Sequence, residues 1–192
     1  MKRLYVISGC NGAGKTTASY TILPEILECD EFVNADEIAR GLSPFNPNST
    51  SIQAGRLMLS RIKLLLNKGE NFAFETTLST RSYTKFIAEA KSKGYNITLL
   101  FFWLNSEDLA VKRVQVRVEE GGHHIPEEVI RRRYNNGLSN FFKLYKPIVD
   151  DWIFINSSSK SYKIVAEGTR FDVEIRDREL WLLLKNQYER KK

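Results

Sequence analysis

The chain has 192 residues, with 29 Lys and Arg against 23 Asp and Glu, for a formal charge of +6. With 42% hydrophobic and 27% charged residues it suits a packed globular protein and not a disordered one, and its two cysteines are too few for a disulfide framework. No apolar run reaches the roughly 18 residues of a membrane span, and Met1-Lys2-Arg3 leads into a strand and a glycine loop rather than a signal peptide, so a cytoplasmic protein without a membrane partner is expected.

Arg3 to Ser8 reads as a short buried strand, and Lys15 to Leu27 as the helix that follows. Phe32-Val33 is a brief apolar stretch that reads as a second strand. Thr50 to Leu66 is predicted helical, because Ile52, Gly55, Leu59, Ile62 and Leu66 recur at spacings of three and four. Asn71 to Glu75 reads as a strand, and Ser79 to Lys93 as a helix stopped by Gly94. Asn96 to Leu104 is the longest buried-strand candidate. Ser106 is placed to cap a helix reaching about Glu120, Gly121-Gly122 breaks it, and Pro126 stands near the start of a helix running to about Phe142. Trp152 to Ile155 is a last central strand.

Strands alternating with helices predict an α/β fold, a doubly wound and mainly parallel sheet covered on both faces. Beyond it, Tyr162 to Glu167 and Phe171 to Ile175 flank Gly168-Thr169-Arg170 as a β-hairpin. Asp177 to Tyr188 then forms a helix with Leu180, Trp181, Leu184 and Tyr188 on one face. A single domain is expected, with residues 106–142 as a helical lid region and 160–192 as a C-terminal hairpin and helix.

Gly9-Cys10-Asn11-Gly12-Ala13-Gly14-Lys15-Thr16 fits the phosphate-loop pattern G-x-x-x-x-G-K-[ST], after a strand and before a helix. The glycines let successive N–H groups turn toward phosphate oxygens. Gly9, Asn11, Gly12, Ala13, Gly14, Lys15, Thr16 and Thr17 are therefore the nucleotide-binding candidates, with Lys15 on the β- and γ-phosphates and the Thr16 hydroxyl on Mg²⁺. Cys10 reads as a small filler of the loop.

Two acids stand where the strands of an open sheet line a ligand crevice. Asp36, after the second strand, is a candidate catalytic base for an attacking hydroxyl; capping the next helix is its alternative. Glu75, followed by Thr76, ends a strand where an acid grips metal or substrate; an exposed strand-end charge is its alternative. A cationic segment follows, holding six Lys or Arg and four Glu between Val111 and Arg133. Arg113 and Arg117 are four apart and share a helix face. The break at Gly121-Gly122 lets this segment fold over a nucleotide, its arginines meeting the transferring phosphoryl. Most of Arg131, Arg132 and Arg133 must be surface charges, since three consecutive helical positions cannot all face one site.

Together GCNGAGKTT, NADEIARGLSPFNP, FAFETTLSTRSY and RVQVRVEEGGHHIPEEVIRRRY resemble the zeta-toxin-like phosphate-loop kinases, in particular their compact branch of predicted ATPases or kinases. The resemblance covers most of residues 3–157 and implies a P-loop kinase architecture with a helical lid. It implies ATP and Mg²⁺ as cofactors and, from the toxin members, phosphorylation of a hydroxyl of UDP-N-acetylglucosamine. By motif it makes Asp36, Lys15 and Arg117 the catalytic residues and Thr16 and Glu75 the metal site. Asp36, Glu75, Thr76, His123 and Arg133 would touch substrate, and Arg113 would join Arg117 on the nucleotide. A second lid arginine of the toxins falls at Gly122-His123-His124 here, so His123, His124 or Arg133 takes its place. A toxin role would bring an antitoxin protein as partner.

The expected activity is ATP-dependent transfer of a phosphoryl group to a hydroxyl of a small polar acceptor. The alternatives are a polynucleotide 5′-hydroxyl kinase, suggested by the positive charge, and a nucleotide-gated regulatory module without turnover. Few aromatic residues accompany the basic segment, which disfavours a nucleic-acid partner.

Overall fold

The structure, a computed structural model, describes residues 1–122 and 124–189. Five strands run parallel: β1 (Lys2–Gly9), β2 (Phe32–Val33), β3 (Phe72–Thr76), β4 (Tyr95–Trp103) and β5 (Asp151–Asn156). Two more, β6 (Lys163–Thr169) and β7 (Val173–Ile175), continue the sheet antiparallel, in the order β2-β3-β1-β4-β5-β6-β7. β1 is central, hydrogen-bonded to β3 on one side and β4 on the other. Leu4, Val6 and Ile7 are accordingly buried, as an unalternated apolar strand in a parallel sheet must be.

The helices are α1 (Lys15–Thr21), α2 (Ala35–Leu42), α3 (Ser51–Lys68), α4 (Tyr83–Ser92), α5 (Glu107–Glu119), α6 (Glu127–Asn140) and α7 (Arg178–Tyr188). α1 is shorter than its sequence predicts. Past Thr21 the chain widens, and the Leu27 N–H reaches the Ile22 carbonyl five residues back. Pro24, which has no N–H to give an ordinary helical turn, lies inside this stretch. The same widening follows α6, where the Lys146 N–H bonds to the Phe141 carbonyl. In α3 the buried stripe is Ala54, Met58, Ile62 and Leu65, whereas Ile52 and Leu59 face solvent. This helix carries apolar residues on all sides, so periodicity alone places Ile52 and Leu59 on the wrong face.

α4 begins at Tyr83 instead of Ser79, because Leu78 takes a left-handed conformation and its N–H bonds to the Thr76 hydroxyl. The C-terminal hairpin turns at residues 170–172 instead of 168–170. Thr169 stays in β6, its hydroxyl accepting hydrogen bonds from the N–H groups of Phe171 and Asp172. α7 is capped by the Asp177 carboxylate, which accepts from the Leu180 N–H. It inserts Trp181 and Leu184 into the core. There Trp181 stacks on Trp152 at 5.1 Å between ring centroids, 7° from parallel. Lys146 lies over the rings of Phe142, Trp152 and Trp181 and pairs with Glu189 at 2.9 Å.

Candidate active site

The C-terminal ends of β1 and β3 lie side by side, Ile7 paired with Glu75 and Ser8 with Thr76. The chain leaves β1 toward β2 and leaves β3 toward β4, on opposite sides of this pair. Such a divergence opens a crevice at the strand ends. The phosphate loop fills one wall of it. Gly9, at φ +137°, lies so close to β4 that a Cβ there would stand 2.1 Å from the Phe102 carbonyl oxygen. Gly12 is similarly confined, its absent Cβ 2.9 Å from the Ala110 carbonyl oxygen of α5. No other residue type fits either position without moving the backbone.

Lys15 is 5% exposed and curls back into its own loop, donating to the Cys10 carbonyl at 3.0 Å. Its ammonium also stands 3.4 Å from Glu75 Oε1. Glu75 is thus no exposed strand-end charge. Its other oxygen, Oε2, accepts from Thr16 Oγ1 at 2.7 Å and from Asn34 Nδ2 at 2.9 Å. A hydroxyl and a carboxylate held together are hard oxygen donors of the kind Mg²⁺ prefers, so the residues present fit the ion.

Asp36 stands in the first turn of α2, but the cap of that helix is Asn34, whose Oδ1 accepts from the Asp36 N–H at 2.8 Å. Capping therefore leaves the Asp36 carboxylate unused. It lines a cavity of about 740 Å³ together with Lys15, Thr16 and Glu75, and no hydrogen bond or ion pair engages it among the described residues. Arg133 comes to the same cavity from α6, its Nη1 donating to Asn11 Oδ1 at 3.1 Å. Burial lowers the pKa of Arg133, and the neighbouring Asp36 charge opposes that shift.

The other expected residues divide. Asn11, Gly12, Gly14, Thr17 and Arg117 line the cavity, and Gly122 packs against the Arg117 backbone with its N–H 2.7 Å from the Arg117 carbonyl. Arg113 lines it too, but its guanidinium donates to the carbonyls of Gly12, Ser157 and Ser158, tying the phosphate loop to the segment after β5. Gly9 and Ala13 are buried residues of the loop, and the Thr76 hydroxyl is turned to the Leu78 N–H. His124 is exposed, while His123 lies outside the described residues. Of the three consecutive arginines, Arg133 faces inward and Arg132 is exposed. Arg131 bonds Asp108 and Glu127 at 2.7 Å each, on the surface.

Asn34 was not singled out from sequence. The available signal was an Asn at a strand end two residues before an acid, which reads as a helix cap and not as a site residue. Cys10 is 4% exposed inside the loop, and burial pushes its thiol up to about 11 despite the Lys15 charge nearby. It is an inert filler.

The model of the family described as Zeta toxin matches residues 1–167. An uncharacterized protein of Haemophilus influenzae is 29% identical over 126 residues, 66% of this chain and 88% of that protein. Crystal structures of the AvrRxo1-ORF1:AvrRxo1-ORF2 complex superpose over 96% of this chain, with a TM-score of 0.74 at 16% identity for the form with sulphate ions. The form with ATP gives 0.71 at 17% identity. This chain spans 63% of the length of those matched chains. The PezAT toxin–antitoxin system of Streptococcus pneumoniae gives a TM-score of 0.64 at 17% identity, over 99% of this chain and 88% of that one. At these identities the structures share the fold. Among the described residues, no helix is long and apolar enough to cross a membrane.

Proposed function

Since this chain belongs to the Zeta toxin family, we propose that it is an ATP-dependent kinase that phosphorylates a hydroxyl of a small polar acceptor. A nucleotide sugar such as UDP-N-acetylglucosamine is the acceptor the family suggests. The observation that carries this reading is the Asp36 carboxylate, which makes no hydrogen bond or ion pair among the described residues and lines the cavity that holds Lys15, Thr16 and Glu75. An acid so placed accepts the proton of an attacking hydroxyl.

Lys15 would leave Glu75 to meet the β- and γ-phosphates, with the loop N–H groups around them. Thr16 and Glu75 would hold Mg²⁺, which when bound supplies positive charge to offset that of the phosphates. Asp36 takes the proton as the acceptor oxygen bonds to the γ-phosphorus; the bond from that phosphorus to the β-bridging oxygen breaks, and ADP leaves. Arg117 and Arg133 lie on the lid side of the cavity, where positive charge stabilises the transferring phosphoryl. The matched structure containing ATP supports ATP as donor, and the toxin–antitoxin nature of PezAT supports an antitoxin protein as partner.

The test is incubation of the purified protein with γ-labelled ATP and a panel of nucleotide sugars. Label should pass to an acceptor hydroxyl in the wild type and not in Asp36→Asn. Absence of labelling on every acceptor, with ATP still bound, would favour a regulatory module without turnover.

A further inference from the structure

β2 is two residues long and pairs only through Phe32 with Ala73 and Val33 with Phe74. Continuing that register by one residue sets Asn34 beside Glu75. The Asn34 side chain is buried, and both ends of its amide are engaged. Nδ2 donates to Glu75 Oε2 at 2.9 Å and to Thr16 Oγ1 at 3.3 Å, while Oδ1 accepts from the Asp36 N–H at 2.8 Å. Only this orientation of the amide satisfies its neighbours, because the carboxylate needs a donor and the Asp36 N–H an acceptor.

One planar amide therefore joins three elements. It touches α1 through Thr16, β3 through Glu75 and α2 through the main chain of Asp36. A helix cap needs only the oxygen end. The nitrogen end, pointed into a carboxylate away from water, serves something else. We propose that Asn34 is a positioning residue that fixes the distance between the Thr16–Glu75 oxygen pair and the turn of helix bearing Asp36. This inference rests on the phosphotransferase reading above. Without the amide, the start of α2 is tied directly to β3 only through the short β2 pairing and the Ala73 N–H bond to the Glu31 carbonyl, while the rest of the helix leans on α3. Asp36 and the oxygen pair would then drift independently, and small misplacements of a catalytic group are costly in rate.

Two substitutions separate the ends of the amide. Asn34→Asp is isosteric and an equally good cap, but removes the donor to Glu75. Asn34→Ser also caps, is neutral, and is too short to reach Glu75. With the melting temperature and far-UV spectrum retained, both should lower turnover with UDP-N-acetylglucosamine as probe, or phosphate release from ATP alone, by roughly tenfold to a hundredfold. KM for ATP should change far less. Calorimetry of ATP binding with Mg²⁺ and with EDTA supplies a readout independent of turnover: the gain in affinity from Mg²⁺ should shrink in Asn34→Ser, the variant that adds no charge beside the oxygen pair. Wild-type values in both, or a loss confined to Asn34→Asp, would overturn the inference by reducing Asn34 to a cap. A wild type that binds ATP equally with and without Mg²⁺ would overturn the kinase reading, and this one with it.

Discussion

Arg133 and Asn11 stand 122 residues apart and share a 3.1 Å hydrogen bond, so helix α6 is fastened to the phosphate loop. The arginine is half-buried there, while its neighbour Arg131 is held on the surface by Asp108 and Glu127. Arg133→Ala is expected to cost roughly 10²–10³ in turnover, the usual effect of removing one donor from a transition-state charge. Arg133→Lys should not restore it, since a single ammonium cannot hold Asn11 and a phosphoryl oxygen as a planar fork does. Arg131→Ala should leave turnover unchanged. Steady-state kinetics on the three variants checks the assignment.

Asp36→Asn keeps the size of the side chain and removes its basicity. Turnover should fall by roughly 10²–10⁴ while ATP affinity, read by calorimetry, is retained. A parallel fall in both would mean that the carboxylate helps to hold nucleotide.

The sheet and the loop were legible because their signals are local. An apolar strand, a glycine pattern and a helix follow one another within residues 3–27, Glu75 stands near the end of β3, and Asp36 lies in the first turn of the helix after β2. What could not be read depends on contacts between distant segments. Nothing near Arg131, Arg132 and Arg133 says which one turns inward; the surface acids Asp108 and Glu127 decide it by engaging Arg131. Arg113 reads as a phosphate ligand by helical spacing, yet three carbonyls from two separate segments meet its guanidinium. Asn34 is invisible for the same reason, since its partners come from α1 and β3.

Gly9→Ala sets a methyl group against the Phe102 carbonyl at a positive φ. The backbone strain alone is worth roughly 1–3 kcal/mol. The clash forces β1 and β4 apart, so the variant should lose ATP binding before it loses its helical signal. Calorimetry and circular dichroism on the same sample separate the two.

Burial, the leading cause for both, pushes the folded Cys10 and Cys29 thiols up to about 11 from an ordinary 9.0. The unfolded thiols ionise first. Their stabilising contribution is therefore complete below pH 9 and is lost as the pH climbs from 9 toward 11. Denaturant midpoints should fall over that window, and fall less in a Cys10→Ser, Cys29→Ala double variant. Buried tyrosines shifted the same way, Tyr145 to about 12 among them, should keep part of the slope.

Trp181 lies beyond the 1–167 span of the family match, yet it is 2% exposed and stacked on Trp152. Trp181→Ala should destabilise the fold by roughly 3–5 kcal/mol. Below the lowered melting temperature, ATP affinity should be unchanged, because the helix packs on the β5 side of the sheet, away from the loop. Thermal denaturation with and without ATP checks both statements.

The central place of β1 has a consequence for how the protein comes into being. Residues 2–9 are translated before either strand that flanks them, 72–76 and 95–103. The nascent strand, apolar from Leu4 to Ile7, must wait on the order of ten seconds at ordinary ribosomal speed for its second neighbour. During that interval the loop that follows it has no wall to curl against. A half-made chain thus lacks the walls at Phe102 and Ala110 on which its loop rests, and a slowly translated one leaves Leu4 to Ile7 uncovered longest.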